Sequence, residues 1–250
     1  MAALYESIGR TYTSTRRPDP RIAAQVADAL GDAARVLNVG AGPGNYEPSD
    51  RTVIALDPST TMLRQRPDEA ASAVQGVAGD LPFRDNAFDA VMGTFTLHHW
   101  PDLGRGLAEA RRVAPRQVFL TFEPYFAFTL WVLEYFPEIL DLPQERNAPT
   151  LDDVRSHLAV REVRTVQVPA DCSDGFGGAF WARPEAYLDP EVQAGMSMFA
   201  VLDPGLRTAG TERLRESLNS GDWDARFGHL RSMPSMDVGY RLVIAGDVGA

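Results

Sequence analysis

The chain has 250 residues, 44% hydrophobic and 23% charged, with a formal charge of −10, which suits a globular protein able to build a sizeable core. All 24 basic residues are arginine, so lysine Schiff-base or phosphate-loop chemistry is excluded, and the acidic balance argues against nucleic acid, whose binding draws on phosphate neutralisation. One cysteine, Cys172, allows no intrachain disulfide and fits a reducing cytoplasm.

Residues 1–34 read as a helical lead-in. Met1 to Arg10 shows no apolar export signal, so a cytoplasmic protein is expected. Tyr5, Ile8 and Tyr12 recur at helical spacing, Pro18 and Pro20 interrupt it, and Arg21 to Leu30 resumes it up to Gly31. Short apolar runs follow at 36–39, 53–56, 73–77, 87–92 and 117–122, with helical periodicity at 59–65 and 103–113. Near-continuous apolar runs mark strands covered on both faces. Their alternation with helices implies an α/β, Rossmann-like, doubly wound sheet. Beyond Phe122, the aromatic segment 125–142 predicts a buried helix; at its widest apolar stretch it is far shorter than the ~20 residues that span a membrane. Thr150 reads as the N-cap of a helix to Leu158. Residues 163–168 and 238–245 complete the strands. The core is thus 35–169 with 237–250, and 170–236 is a helical insertion expected to cover substrate.

The densest motif is Val36-Leu37-Asn38-Val39-Gly40-Ala41-Gly42-Pro43-Gly44-Asn45. Glycines at the carboxyl end of the first strand let a nucleotide-like ligand approach the backbone. Their spacing departs from the dinucleotide pattern G-x-G-x-x-G. Asp57 closes the second strand, where a carboxylate can accept from both ribose hydroxyls. Asp80, in Gly79-Asp80-Leu81-Pro82-Phe83, can accept from an adenine amine, with the next backbone NH on a ring nitrogen.

The series NVGAGPGN, ALDPS, GDLPF, FDAVMGTFTLHHW and the helix through Glu109 to Val113 resembles the ubiE-like, type 11 branch of class I S-adenosylmethionine (SAM)-dependent methyltransferases over roughly residues 35–122. The resemblance implies a seven-stranded sheet of order 3-2-1-4-5-7-6, its last strand antiparallel. It implies SAM as cofactor, S-adenosylhomocysteine as product and a small-molecule acceptor. Gly40, Ala41 and Gly42 would face the methionine part, Asp57 the ribose, and Pro58 and Met62 the adenine. Asp80 and Leu81 would read the adenine edge, and Gly93 and Thr94 the amino group. Two departures stand out. Asn38 replaces the usual acid before the glycines, and only Asn45 to Arg51 separate the loop from the second strand, too few for the usual crossover helix. That helix's N-terminus normally favours the SAM carboxylate; Tyr5, Tyr12, Arg16 or Arg17 would have to compensate.

Methyl transfer from a sulfonium needs alignment, and a base only if the acceptor must lose a proton. His99, then His98, are the candidates for that base, with Glu123 behind them. No metal site is expected, since neither histidine has a further ligand at helical spacing. The aromatic residues Phe176, Phe180, Trp181, Tyr187 and Phe199 serve either as core or as pocket lining. The loop Asp171 to Gly178 is a lid or a plain surface connection. Two other functions stay open: a nicotinamide-dependent oxidoreductase and a non-catalytic SAM-binding protein.

Overall fold

The computed structural model describes residues 15–124 and 130–246. Strands β1 (Arg35–Val39), β2 (Thr52–Asp57), β3 (Ser72–Gln75), β4 (Ala90–Thr94), β5 (Arg116–Phe122), β6 (Val160–Pro169) and β7 (Ser235–Gly246) form one sheet of order 3-2-1-4-5-7-6. The first five run parallel, with Val36 beside Val53 and Ala90, while β7 pairs antiparallel with both β5 and β6. This is the expected topology.

Helix α1 (Pro20–Ala29) starts where Asp19 accepts the Arg21 amide, with proline in its first turn. After β2 come α2 (Thr60–Leu63) and, before β5, α3 (Leu103–Val113). Alternation along the central strands splits the core in two. Val36, Ala90, Met92, Val118 and Leu120 face α1 and the insertion; Leu37, Val91 and Phe119 pack with Leu107 and Val113 of α3.

Two expectations change and a third is met. Strand β3 is an edge strand, mostly exposed, because only β2 pairs with it. The segment 125–142 is not one helix. Its described part is α4 (Val132–Tyr135) followed by a 3-10 turn over Pro137–Asp141. Pro137 lacks an amide and forces Phe136 out of the helical region, to φ −132° and ψ 59°. The first crossover, 41–51, consists of turns alone, as its length predicts. Tyr46 fills part of the space, 4% exposed and in the left-handed region at φ 65°.

Beyond the turn lie α5 (Pro143–Arg146) and α6 (Leu151–His157). Helix α6 opens with a reciprocal capping box: Thr150 accepts the Asp153 amide, and Asp153 accepts the Thr150 amide at 2.8 Å. Thr150→Ala is expected to cost about 1 kcal/mol, read as a lower urea midpoint; an unchanged midpoint would show that the box contributes nothing.

The insertion between β6 and β7 holds α7 (Pro190–Ala194), α8 (Ser197–Ala200), α9 (Pro204–Ser220) and α10 (Asp222–Phe227). Two indoles tie it to the sheet. Trp131 donates to the Trp181 carbonyl at 2.8 Å, and Trp181 donates to the Val168 carbonyl at 3.0 Å. Trp181, Tyr187 and Phe199 are fully buried core residues. No helix among the described residues is long and apolar enough to cross a membrane.

Candidate active site

The site begins where β1 ends. Gly40 turns left-handed at φ 74°, and its amide and that of Ala41 both donate to the Leu56 carbonyl of β2. A Cβ on Gly40 would lie 1.9 Å from the Thr96 hydroxyl. Behind the loop, Arg66 pairs with Glu47 at 2.7 Å, and Glu47 accepts from the buried Asn38 amide group at 3.0 Å. Arg66 also donates to the Gly42 carbonyl. A charge therefore does lie near the position that Asn38 vacates, brought by Glu47 and neutralised by Arg66.

Above this loop, at the carboxyl ends of β1, β2 and β4, lies a cavity of about 340 Å³, the place where open α/β sheets hold nucleotide-like ligands. Gly40, Ala41, Gly42, Asp57, Pro58, Met62 and Thr94 all line it. Asp57 is 8% exposed; its carboxylate accepts from the Gly42 amide at 2.9 Å and the Ser59 amide at 2.8 Å. These two bonds fix the orientation of the carboxylate at the cavity wall.

Asp80 and Leu81 are not among the residues that line this cavity. The ladder of β3 ends at Gln75, and the chain then folds back through a bridge between Val77 and Asp80. Val77 and Ala78 therefore face the cavity, Asp80 is exposed, and the Leu81 amide is taken by Glu109 at 2.9 Å. Gly93 lies in the strand behind the lining, where a Cβ would press on Thr96, Phe119 and the Val39 carbonyl. Tyr5 and Tyr12 lie outside the described residues.

Arg16 reaches the cavity and Arg17 stays exposed. The Arg16 guanidinium pairs with Asp174 at 2.8 Å, the two side chains being 7% and 0% exposed. Asp174 also accepts from the Tyr46 hydroxyl at 2.7 Å and the Gly175 amide at 2.7 Å. The loop 171–178 is thus latched against the lead-in and the shortened crossover. Tyr46 and Asp174 carry no sequence motif; a Pro-interrupted crossover was the one hint that something must replace its helix.

A second cavity, of about 120 Å³, opens beside the first. Arg16, Phe95 and His99 line both. Phe95 sits in the left-handed region at φ 55°, a strained backbone often found at functional sites, and packs against Phe176 and Tyr240. The second wall is mostly apolar, with His98, Glu123, Glu145 and Tyr240 among it. Burial pushes His99 down to about 4 and holds His98 well below the ordinary imidazole value, so both are neutral at physiological pH. That makes His99 a weak proton acceptor. Burial also pushes the Cys172 thiol up to about 12, which leaves it unreactive.

Residues 37–122 match a family model described as a methyltransferase domain. The chain is 36% identical over 131 residues to the demethylmenaquinone methyltransferase of Renibacterium salmoninarum, covering 45% of this chain and 53% of that one. It is 31% identical over 161 residues to the malonyl-[acyl-carrier protein] O-methyltransferase of Geobacter sulfurreducens, covering 55% and 58%. The chain spans about half the length of these curated relatives. A solved Anabaena variabilis protein, described as a methyltransferase candidate from an antibiotic biosynthesis pathway, superposes with a TM-score of 0.86 at 29% identity, over 95% of this chain and 100% of that one.

Residues 37–122 thus match a methyltransferase domain, and the fold as a whole is similar to that of a solved protein described as a methyltransferase candidate.

Proposed function

We propose that this chain transfers the methyl group of SAM to a small-molecule acceptor seated in the second cavity. The observation that carries this reading is the junction: two cavities, one large enough for an adenosyl ligand and one smaller and apolar, meet at Arg16, Phe95 and His99. When bound, SAM supplies an electrophilic methyl group on sulfur. Asp57 would accept from the ribose hydroxyls, Pro58, Met62, Val77 and Ala78 would enclose the adenine, and Arg16 would face the carboxylate that a crossover helix normally attracts. Phe95 and His99 would separate the cavities and narrow the approach to the methyl carbon.

Alignment of this kind is worth ~7–11 kcal/mol of barrier, so the walls themselves supply much of the catalysis. The two curated relatives are named for a quinone and for an acyl carrier's malonyl group, which supports an acceptor other than nucleic acid. The net charge of −10 supports the same conclusion and is compatible with a cytoplasmic setting.

Calorimetry with S-adenosylhomocysteine tests the reading. The protein should bind it, and Asp57→Ala should bind it ~10–100-fold more weakly, the loss expected for hydrogen bonds to a charged group. No heat with the unaltered protein would remove the proposal. Binding without transfer to any of a broad set of acceptors would instead favour a non-catalytic SAM-binding protein.

A further inference from the structure

Glu145 belongs to the short turn Pro143-Gln144-Glu145-Arg146, which no sequence motif marks. In the structure this turn, α5, packs against the turn that carries His98 and His99. The Glu145 side chain lines the second cavity. Among the described residues its carboxylate accepts no hydrogen bond and joins no ion pair. The Nδ1 atom of His98, on the same wall, is also buried without a partner. An apolar cavity with two unpaired polar groups is built for a ligand that satisfies them.

The charges facing Glu145 narrow the ligand's chemistry. His98 and His99 are neutral, and Tyr240, from β7, is held in its protonated form by burial. Glu123, at the end of β5, contributes a second carboxylate, which accepts the Leu151 amide at 3.3 Å. Arg16 is matched by Asp174. The cavity therefore favours a cation and disfavours an anion.

Resting on the methyltransferase reading, we propose that the acceptor is a primary or secondary amine on an apolar skeleton and that Glu145 takes its proton. An ammonium passing its proton to a carboxylate cancels two charges, which a low-dielectric cavity favours. A hydroxyl passing its proton to Glu145 would only move a negative charge next to Glu123. Glu145 binds the proton, the nitrogen lone pair it frees forms the new N–C bond, and the C–S bond breaks with its electrons remaining on sulfur. The product leaves as a methylated ammonium. Burial pushes Glu145 up to about 7, so its charged form, which draws in the ammonium, is present above that pH and lost below it.

The test uses the complete chain saturated with S-adenosylhomocysteine, titrated with 2-phenylethylamine and, separately, 2-phenylethanol between pH 6 and 8.5. The amine should bind about tenfold more tightly at pH 8 than at pH 6. In Glu145→Gln its affinity at pH 8 should fall at least about tenfold and lose its pH dependence, while S-adenosylhomocysteine affinity and melting temperature hold. Transfer of labelled methyl from SAM to the amine should fall ~10²-fold or more in the variant. Equal affinity for alcohol and amine, no amine binding, or an unaltered Glu145→Gln profile would overturn the assignment and leave the methyltransferase reading intact. Failure of S-adenosylhomocysteine to bind would remove that reading instead.

Discussion

Asp174→Ala is expected to lower stability by about 3–5 kcal/mol, the usual cost of removing one partner from a buried ion pair. For a chain of this size that corresponds to a fall in melting temperature on the order of 10 °C. The variant leaves the Arg16 guanidinium, 7% exposed, facing an apolar gap, and deprives the Tyr46 hydroxyl of its acceptor. It also releases the Gly175 amide, so the loop 171–178 loses its latch. Asp174→Asn should fall between the two, because its amide keeps one acceptor for Tyr46 but no charge for Arg16. Scanning calorimetry decides: a variant melting within a degree of the unaltered protein would mean the pair is stabilised by little more than solvent.

Gly40→Ala should reduce S-adenosylhomocysteine affinity at least about a hundredfold. Left-handed backbone costs a non-glycine residue ~1–2 kcal/mol, and here a methyl group would also stand 1.9 Å from the Thr96 hydroxyl. Thr96 cannot simply rotate away. It is 6% exposed, and its hydroxyl accepts the Trp100 indole NH at 3.1 Å. Relief must come from the loop moving, which displaces the Gly40 and Ala41 amides from Leu56 and carries Gly42 away from Asp57. Equilibrium dialysis against labelled cofactor product measures the loss; near-normal binding would show that the glycine turn tolerates what its geometry forbids.

The strands were legible because each buried segment presents an unbroken apolar run, and the glycine turn because left-handed geometry leaves its mark in residue type. Asp57 was legible by position, at the end of an apolar run opposite the glycines. Features set by distant contacts were not. Asp80 precedes Leu81-Pro82-Phe83, and neither its bridge to Val77 nor its exposure can be read from that motif. The helix over 125–142 looked continuous from its apolar content, yet Pro137 breaks it. His99 has the residue type of a base, and the burial that lowers its proton affinity is set by the fold. Glu145 lies outside every motif the sequence offers, and the cavity it lines is completed by residues of the insertion.

The latch also bears on the order in which the molecule assembles. Arg16 and Tyr46 reach Asp174 across 158 and 128 residues of chain, among the most non-local bonds the protein makes, and contacts of such sequence separation form late because long loops must close first. The parallel strands and their glycine turn can assemble earlier, but one wall of the cofactor cavity waits for nearly the whole polypeptide. Competence to hold an adenosyl ligand would then emerge at the end of folding, as a property of the finished chain and not of its central sheet.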